Sequence, residues 1–282
     1  MKTILMPTDF SNNSINAINY AVQMLKEEPC NFILLNIQKA SSFISDDFMT
    51  MSSSTTIYQT LIDTAKRSTT NLIENLKIQY QNPNHEFFPL IDYDNFIDGI
   101  NQACSKHYVD LIIMGTHGAS GAERVFFGSN TVRVIQRCKT PVLVIPEGCE
   151  YNGLEKIAFT SDYLSAINTK SLEPLTDIVN SHKSKVEFLH MVAEESLSEE
   201  QKQNKETLDN LFSDVSHEFI ELEHSKLFEA VSEYSNANNI KLIAMLSKKY
   251  SFIERLFTEH NAETFGFKID IPFLVMEDCS PS

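Results

Sequence analysis

Leu111-Ile112-Ile113-Met114-Gly115-Thr116-His117-Gly118, then nine residues, then Gly128-Ser129-Asn130, is the stretch that decides the fold. Four apolar residues in a row, ending on glycine, read as a strand buried on both faces. Gly115, Gly118, Gly121 and Gly128 are four of the chain's eight glycines, gathered within fourteen residues. Glycine suits a backbone at positive φ, or one that must approach a ligand with no Cβ between them. A strand that runs through such a loop into a helix points free N–H groups at an anion. The pattern therefore predicts a phosphate-binding turn between a strand and a helix that starts at Ser129.

Working outward, short apolar runs alternate with helical patterns, the signature of a parallel sheet with crossover helices. Strands are expected at Thr3 to Met6, Phe32 to Ile37, Glu86 to Ile91, Leu111 to Met114 and Val142 to Ile145. Ile15, Ile18, Val22 and Leu25 form one helical stripe, Ile57, Leu61, Leu72 and Leu76 a second, and a third helix covers about Asn95 to His107. The segment Lys39 to Thr56, with six serines and adjacent Asp46 and Asp47, reads as a polar excursion after the second strand. It is either a lid over a site at the strand ends or a tolerated surface loop.

The second half repeats this order. Lys156-Ile157-Ala158-Phe159-Thr160-Ser161-Asp162 answers Thr3-Ile4-Leu5-Met6-Pro7-Thr8-Asp9. A shift of 131 residues, without a gap, lays Met114 on Met245, Ser120 on Ser251, Glu123 on Glu254, Arg124 on Arg255, Phe126 on Phe257 and Pro141 on Pro272. Two homologous domains follow, 1–147 and 154–279, split by the turn around Gly148 to Gly153. The same shift puts Leu246 on Gly115, Lys249 on Gly118, Glu259 on Gly128 and His260 on Ser129. Side chains stand where backbone would meet phosphate, so the scaffold persists in the second half without the anion site.

Composition narrows the function classes. The 282 residues are 42% hydrophobic and 22% charged, values of a globular protein, and no apolar run nears the ~20 residues of a membrane span. The formal charge of −15 disfavours nucleic acid and anionic membrane as partners. Most of it lies in the second half: residues 1–147 carry 11 basic and 14 acidic side chains, residues 148–282 carry 12 and 24. Five scattered cysteines, Cys30, Cys104, Cys138, Cys149 and Cys279, give neither a disulfide framework nor a zinc site, which points to a reducing cytoplasm.

Gly115, Gly118, Gly128 and Ser129 match the spacing Gly, two residues, Gly, nine residues, Gly, Ser or Thr, and in this the sequence resembles the universal stress protein family. Pro7-Thr8-Asp9-Phe10-Ser11 and Thr140-Pro141-Val142-Leu143-Val144-Ile145-Pro146 look like the family's other signatures. The likeness is strong in the first half and runs through the framework of the second, as in the family's tandem members. It implies an adenine nucleotide alpha hydrolase-like, Rossmann-type α/β fold in each domain, a five-stranded parallel sheet with helices on both faces. It also implies an adenine nucleotide, ATP or a relative, in the first domain. Carried over by position, Pro7, Thr8 and Asp9 would lie against adenine and ribose, Ile37 would line the base pocket, and Met114 would flank the loop. Gly115, Gly118 and Gly128 would let backbone close on ribose and phosphates, with Ser129 and Asn130 as donors. Mg²⁺ could accompany the nucleotide near Asp46 and Asp47, whose plainer role is a solvated loop.

Each assignment has a plainer rival. Asp9 or Ser11 could be the N-cap of the first helix, and Ser129 the N-cap of a later one. His117 lacks a partner at catalytic spacing, and Arg124 survives as Arg255 where the glycines do not, which favours a structural pairing. No Walker lysine or placed carboxylate pair accompanies the loop, so enzymatic activity is at most slow ATP hydrolysis. The expectation is a cytoplasmic nucleotide-binding regulator, against a nucleotide-free scaffold or a slow ATP-hydrolysing enzyme of the wider fold group. The resemblance also implies pairing of the two domains within the chain through their fifth strands, and leaves room for a homodimer.

Overall fold

The computed structural model describes residues 1–38, 51–93, 95–116, 128–164, 167–191, 196–222, 227–247 and 270–277. The chain divides into two compact units, Met1–Tyr151 and Asn152–Ser282.

The first unit runs β1 (Lys2–Pro7), α1 (Asn12–Met24), β2 (Cys30–Ile37), α2 (Met51–Tyr80), β3 (His85–Asp92), α3 (Phe96–His107), β4 (Leu111–Gly115), α4 (Ser129–Arg137) and β5 (Val142–Ile145). Its strands are parallel, in the order β3-β2-β1-β4-β5. The chain steps outward from β1 to β3, then returns to the other side of β1 and steps out again. Right-handed crossovers therefore put α1 and α2 on one face and α3 and α4 on the other. The sheet is closed to water on both sides: Ile4, Leu5, Phe32, Leu34, Ile112, Leu143 and Val144 are fully buried. That burial is why these strands read as unbroken apolar runs rather than as alternation.

The helix starts show which polar residues do structural work. Ser11 caps α1, its side chain accepting from Ser14 N, and Asn95 caps α3 in the same way from Ile97 N. Asp9 is not a cap; it lies two residues upstream and its carboxylate accepts from Ser11 N at 3.0 Å. The excursion after β2 is shorter than the sequence suggests. Its last residues, Met51 to Thr56, are already the first turns of α2, a thirty-residue helix. Residues 39–50, with Asp46 and Asp47, lie outside the described residues.

The second unit repeats the plan with β6 (Lys156–Thr160), α5 (Thr169–His182), β7 (Lys185–Met191), α6 (Glu199–Leu211), β8 (His217–Leu222), α7 (Leu227–Ala237), β9 (Leu242–Ser247) and β10 (Phe273–Glu277). Its order is β10-β9-β6-β7-β8, again parallel. Aromatic rings fill its core, with Phe188 stacked on Phe219 and set edge-on to Phe159 and Phe212. One buried carboxylate, Glu187, is fully engaged. Lys156 and Lys185 each approach its Oε1 at 3.3 Å, and the Tyr234 hydroxyl donates to Oε2 at 3.0 Å. Burial, then that bond to Glu187, pushes the Tyr234 hydroxyl up to about 12.

His217 at the start of β8 gives this unit a pH-dependent tie. Its Nε2 faces Asp209 Oδ1 at 2.9 Å and its Nδ1 faces the Val215 carbonyl at 2.9 Å, so the doubly protonated ring donates to both. Burial lowers its proton affinity, but the bonds to Asp209 and Val215 outweigh it and the pKa stands above the usual imidazole value. A raised folded-state pKa stabilises below the unfolded pKa of about 6.5, and the gain is lost as pH rises through the folded value. Asp209→Asn is therefore expected to destabilise the protein at pH 5 and to change little at pH 9. Urea unfolding at both pH values checks this; an equal loss at the two would contradict it.

Candidate functional site

A doubly wound sheet opens a crevice where the strand order reverses, beyond the carboxyl ends of its strands. In the first unit that point lies between β1 and β4. Leu5 sits level with Ile112, which brings Pro7-Thr8 and Met114-Gly115 to the same end of the sheet. Ile37 ends β2 on the other side of β1. Ser129 and Asn130 open α4 beyond β4. The expected site residues that the structure describes thus gather at one end of the sheet. Gly118 and His117, with Gly121, Glu123, Arg124 and Phe126, lie outside the described residues.

Within this group the roles divide sharply. Pro7 and Met114 are buried and belong to the core. Thr8 is buried with its hydroxyl committed. Ser14 Oγ gives its single proton to Ser11 O, so Thr8 Oγ1 donates to Ser14 Oγ at 2.9 Å while accepting from Phe10 N at 3.0 Å. The Thr8 carbonyl accepts from Asn36 Nδ2 at 2.7 Å, and its N–H donates to Leu35 O. Thr8 therefore shapes the turn after β1, and Asn36 is a supporting residue with no signal of its own in the sequence. Asp9, next in the chain, is exposed. Ile37 is half-buried, and its Cδ1 lies 2.9 Å from where a Cβ on Gly99 of α3 would stand. It borders the crevice while resting on α3.

Of the two reasons for glycine that the sequence leaves open, positive φ does not apply to the two described glycines of the motif. Neither has positive φ; among the described glycines that conformation belongs to Gly148 and Gly153, in the segment after β5. Gly115 is small because of α1. A Cβ there would come within 2.9 Å of Asn13 Cγ and Nδ2 and 3.0 Å of Asn13 O. Gly128 has ordinary extended backbone, φ −60° and ψ 150°, and its N–H is spent on Thr116 O at 2.6 Å. Gly128, not Ser129, is the N-cap of α4, and a glycine brings no side chain of its own to cap that terminus. Ser129 and Asn130 are the exposed first residues of the helix. First-turn amides have no partner inside the helix, and here they meet the positive end of its dipole, so the terminus suits an anion.

Burial pushes the Cys30 and Cys138 thiols up to about 12, the reverse of an activated thiolate. No group of three or more His, Cys, Asp and Glu side chains among the described residues could hold a metal ion.

In the second unit the turn after β6, counterpart of the turn after β1, is held by side chains. Three successive carbonyls after β6 are taken: Ser161 O by His190 Nδ1 at 3.0 Å, Asp162 O by Gln201 Nε2 at 2.9 Å and Tyr163 O by Asn204 Nδ2 at 2.7 Å. Tyr163 is buried and stacks on His190 with ring centres 4.5 Å apart. The β6–β7 register makes His190 the counterpart of Asn36, since Thr160 pairs Leu189 as Pro7 pairs Leu35. Leu246, half-buried, stands where Gly115 stands in the first unit; Lys249 and Glu259 lie outside the described residues.

Parallel sheets of this order, with a glycine loop leading into a helix whose N-cap is a glycine, define a Rossmann-type α/β protein of the adenine nucleotide alpha hydrolase-like fold. The chain belongs to the universal stress protein family, whose family model matches residues 1–146, just over half of it. Two curated relatives, universal stress proteins MJ0531 and MJ0577 of Methanocaldococcus jannaschii, are each 27% identical to it. The first aligns over 148 residues, 51% of this chain and 81% of its own length; the second over 154 residues, 51% and 94%. The crystal structure of a universal stress protein from Archaeoglobus fulgidus superposes with a TM-score of 0.67 at 15% identity, covering 98% of this chain and 96% of that one. At that identity the likeness is one of fold, and it extends through both units. No helix among the described residues is long and apolar enough to cross a membrane.

Proposed function

We propose that the first domain binds ATP or a close adenine nucleotide beyond the carboxyl ends of β1 and β4, and that the protein is a nucleotide-responsive regulator of a stress response. The observation that carries this reading is the α4 terminus. Its N-cap is a glycine, its first residues Ser129 and Asn130 are exposed, and it stands at the switch point of the sheet. Glycines and Ser129 at the family's spacing lead into it. Asp9, Ile37 and the Thr8 turn would border adenine and ribose, and the first turn of α4 would take the phosphates. The second domain, with its counterpart turn held by His190, Gln201 and Asn204, would serve as framework and interaction surface. A cytoplasmic setting belongs to the same reading.

The scaffold alternative rests on what happened in the second domain, and one experiment separates the two. Protein purified without added nucleotide is denatured, and the released small molecules are identified by chromatography. An adenine nucleotide is expected at close to one per chain from the wild type, and at a small fraction of that from Gly118→Glu. A wild type that neither releases nor takes up adenine nucleotide would leave the scaffold reading standing.

A further inference from the structure

The two ends of the glycine loop are fastened to each other. Gly128 N donates to Thr116 O at 2.6 Å, and the Thr131 hydroxyl, from the first turn of α4, reaches Gly115 O at 3.0 Å and Thr116 O at 3.2 Å. A hydroxyl has one proton, so the two contacts share it in a three-centre bond. Thr131 is 2% exposed, out of reach of water and of any bound nucleotide. Its methyl-bearing side chain and hydroxyl therefore join the last residue of β4 to the third residue of α4, across a loop that leaves the sheet at Thr116 and returns at Gly128.

From this geometry we infer that Thr131 is a positioning residue of the nucleotide site, one that sets where the α4 amides stand relative to the crevice. The inference rests on the nucleotide reading above. Donors at a helix terminus favour an anion only at hydrogen-bond distance, and donors already fixed there spare the ligand the cost of ordering them. Ser129 and Asn130 precede Thr131 directly, so the clamp acts on the residues that would meet phosphate. It has no comparable hold on Asp9 or Ile37, at the adenine and ribose end.

An independent observation comes from the second half of the chain. In the gapless alignment shifted by 131 residues, Thr131 falls on Ala262 while Asn130 falls on Asn261. The hydroxyl has gone in the copy where the motif positions Gly115, Gly118, Gly128 and Ser129 are also replaced.

Thr131→Val keeps the shape and removes the hydroxyl. Titrated with ATP and, separately, with adenosine, it is expected to bind ATP about tenfold more weakly than the wild type, as for the loss of one buried hydrogen bond, and adenosine within about twofold of it. Thr131→Ser, which restores the hydroxyl, should recover most of the ATP affinity. Should the valine variant not fold, Thr131→Ala, the residue at position 262, takes its place with the same expectations. Equal weakening toward ATP and adenosine would make Thr131 a general structural residue and overturn the inference, as would unchanged ATP affinity. A wild type that binds neither compound overturns the nucleotide reading itself, and the positioning role falls with it.

Discussion

Gly115→Val is expected to cost the first domain several degrees of thermal stability and to remove nucleotide binding, while Gly128→Val removes binding and leaves the melting temperature nearly unchanged. The two glycines occupy the same motif, yet their surroundings differ. At Gly115 the new Cβ would be driven against Asn13, 2.9 Å from its side-chain amide and 3.0 Å from its backbone carbonyl. The amide could rotate away. The carbonyl oxygen belongs to the first turn of α1 and moves only with the helix. Overpacking of this kind costs about 1–3 kcal/mol. In a domain of about 150 residues that corresponds to roughly 3–10 °C. At Gly128 the backbone, φ −60° and ψ 150°, is open to any residue and the position is half-buried, so a side chain there brings no backbone strain. Differential scanning calorimetry of both variants, beside an ATP titration, checks the contrast. Equal melting temperatures for Gly115→Val and the wild type would show that α1 does not press on β4 as described.

That contrast also marks how far the sequence could be read. Val142–Ile145 and Leu111–Gly115 are legible because strands buried on both faces leave no polar residue to blur their ends. β3 extends to His85, where the sequence shows only a polar residue. The ring packs on Phe32 and Phe87, and its Nε2 lies 3.0 Å from the Leu25 carbonyl, so long-range contacts hold it in the strand. The Ser/Thr-rich start of α2 reads as loop by local preference. A helix once nucleated propagates cheaply, and α2 runs through it. In the site, the spacing of Gly115, Gly128 and Ser129 is visible, but the reason for each is not. Asn13 is 102 positions from Gly115 in sequence and meets it only in the fold. Thr131 and Asn36 carry no sequence signal of their own; they matter through the carbonyls they hold. Conversely, the loss of the motif in the second half is legible residue by residue, while the stack of Tyr163 on His190 that accompanies it is not.

One nucleotide per chain is expected, because the first domain offers a helix terminus for the phosphates while the second carries side chains at the motif positions. In the first, the N-cap of α4 is a glycine and the opening residues of the helix are exposed. In the second, the carbonyls of Ser161, Asp162 and Tyr163 are each taken by a side chain, and Leu246 replaces the glycine that ends the strand. Ser161 O is held by His190 as Thr8 O is by Asn36, and the bonds to Asp162 O and Tyr163 O, with the buried Tyr163–His190 stack, fasten the second-domain turn further. Read from the sequence, Glu259 adds a carboxylate at the position of Gly128, where an anion would have to sit, and Lys249 puts a long side chain at that of Gly118.

Isothermal titration calorimetry of the nucleotide-free full-length chain with ATP tests this most directly. One site per chain is expected, lost in Gly118→Glu and kept when Leu246 is replaced by alanine. Two equivalent sites, or a single site that survives Gly118→Glu, would contradict the account.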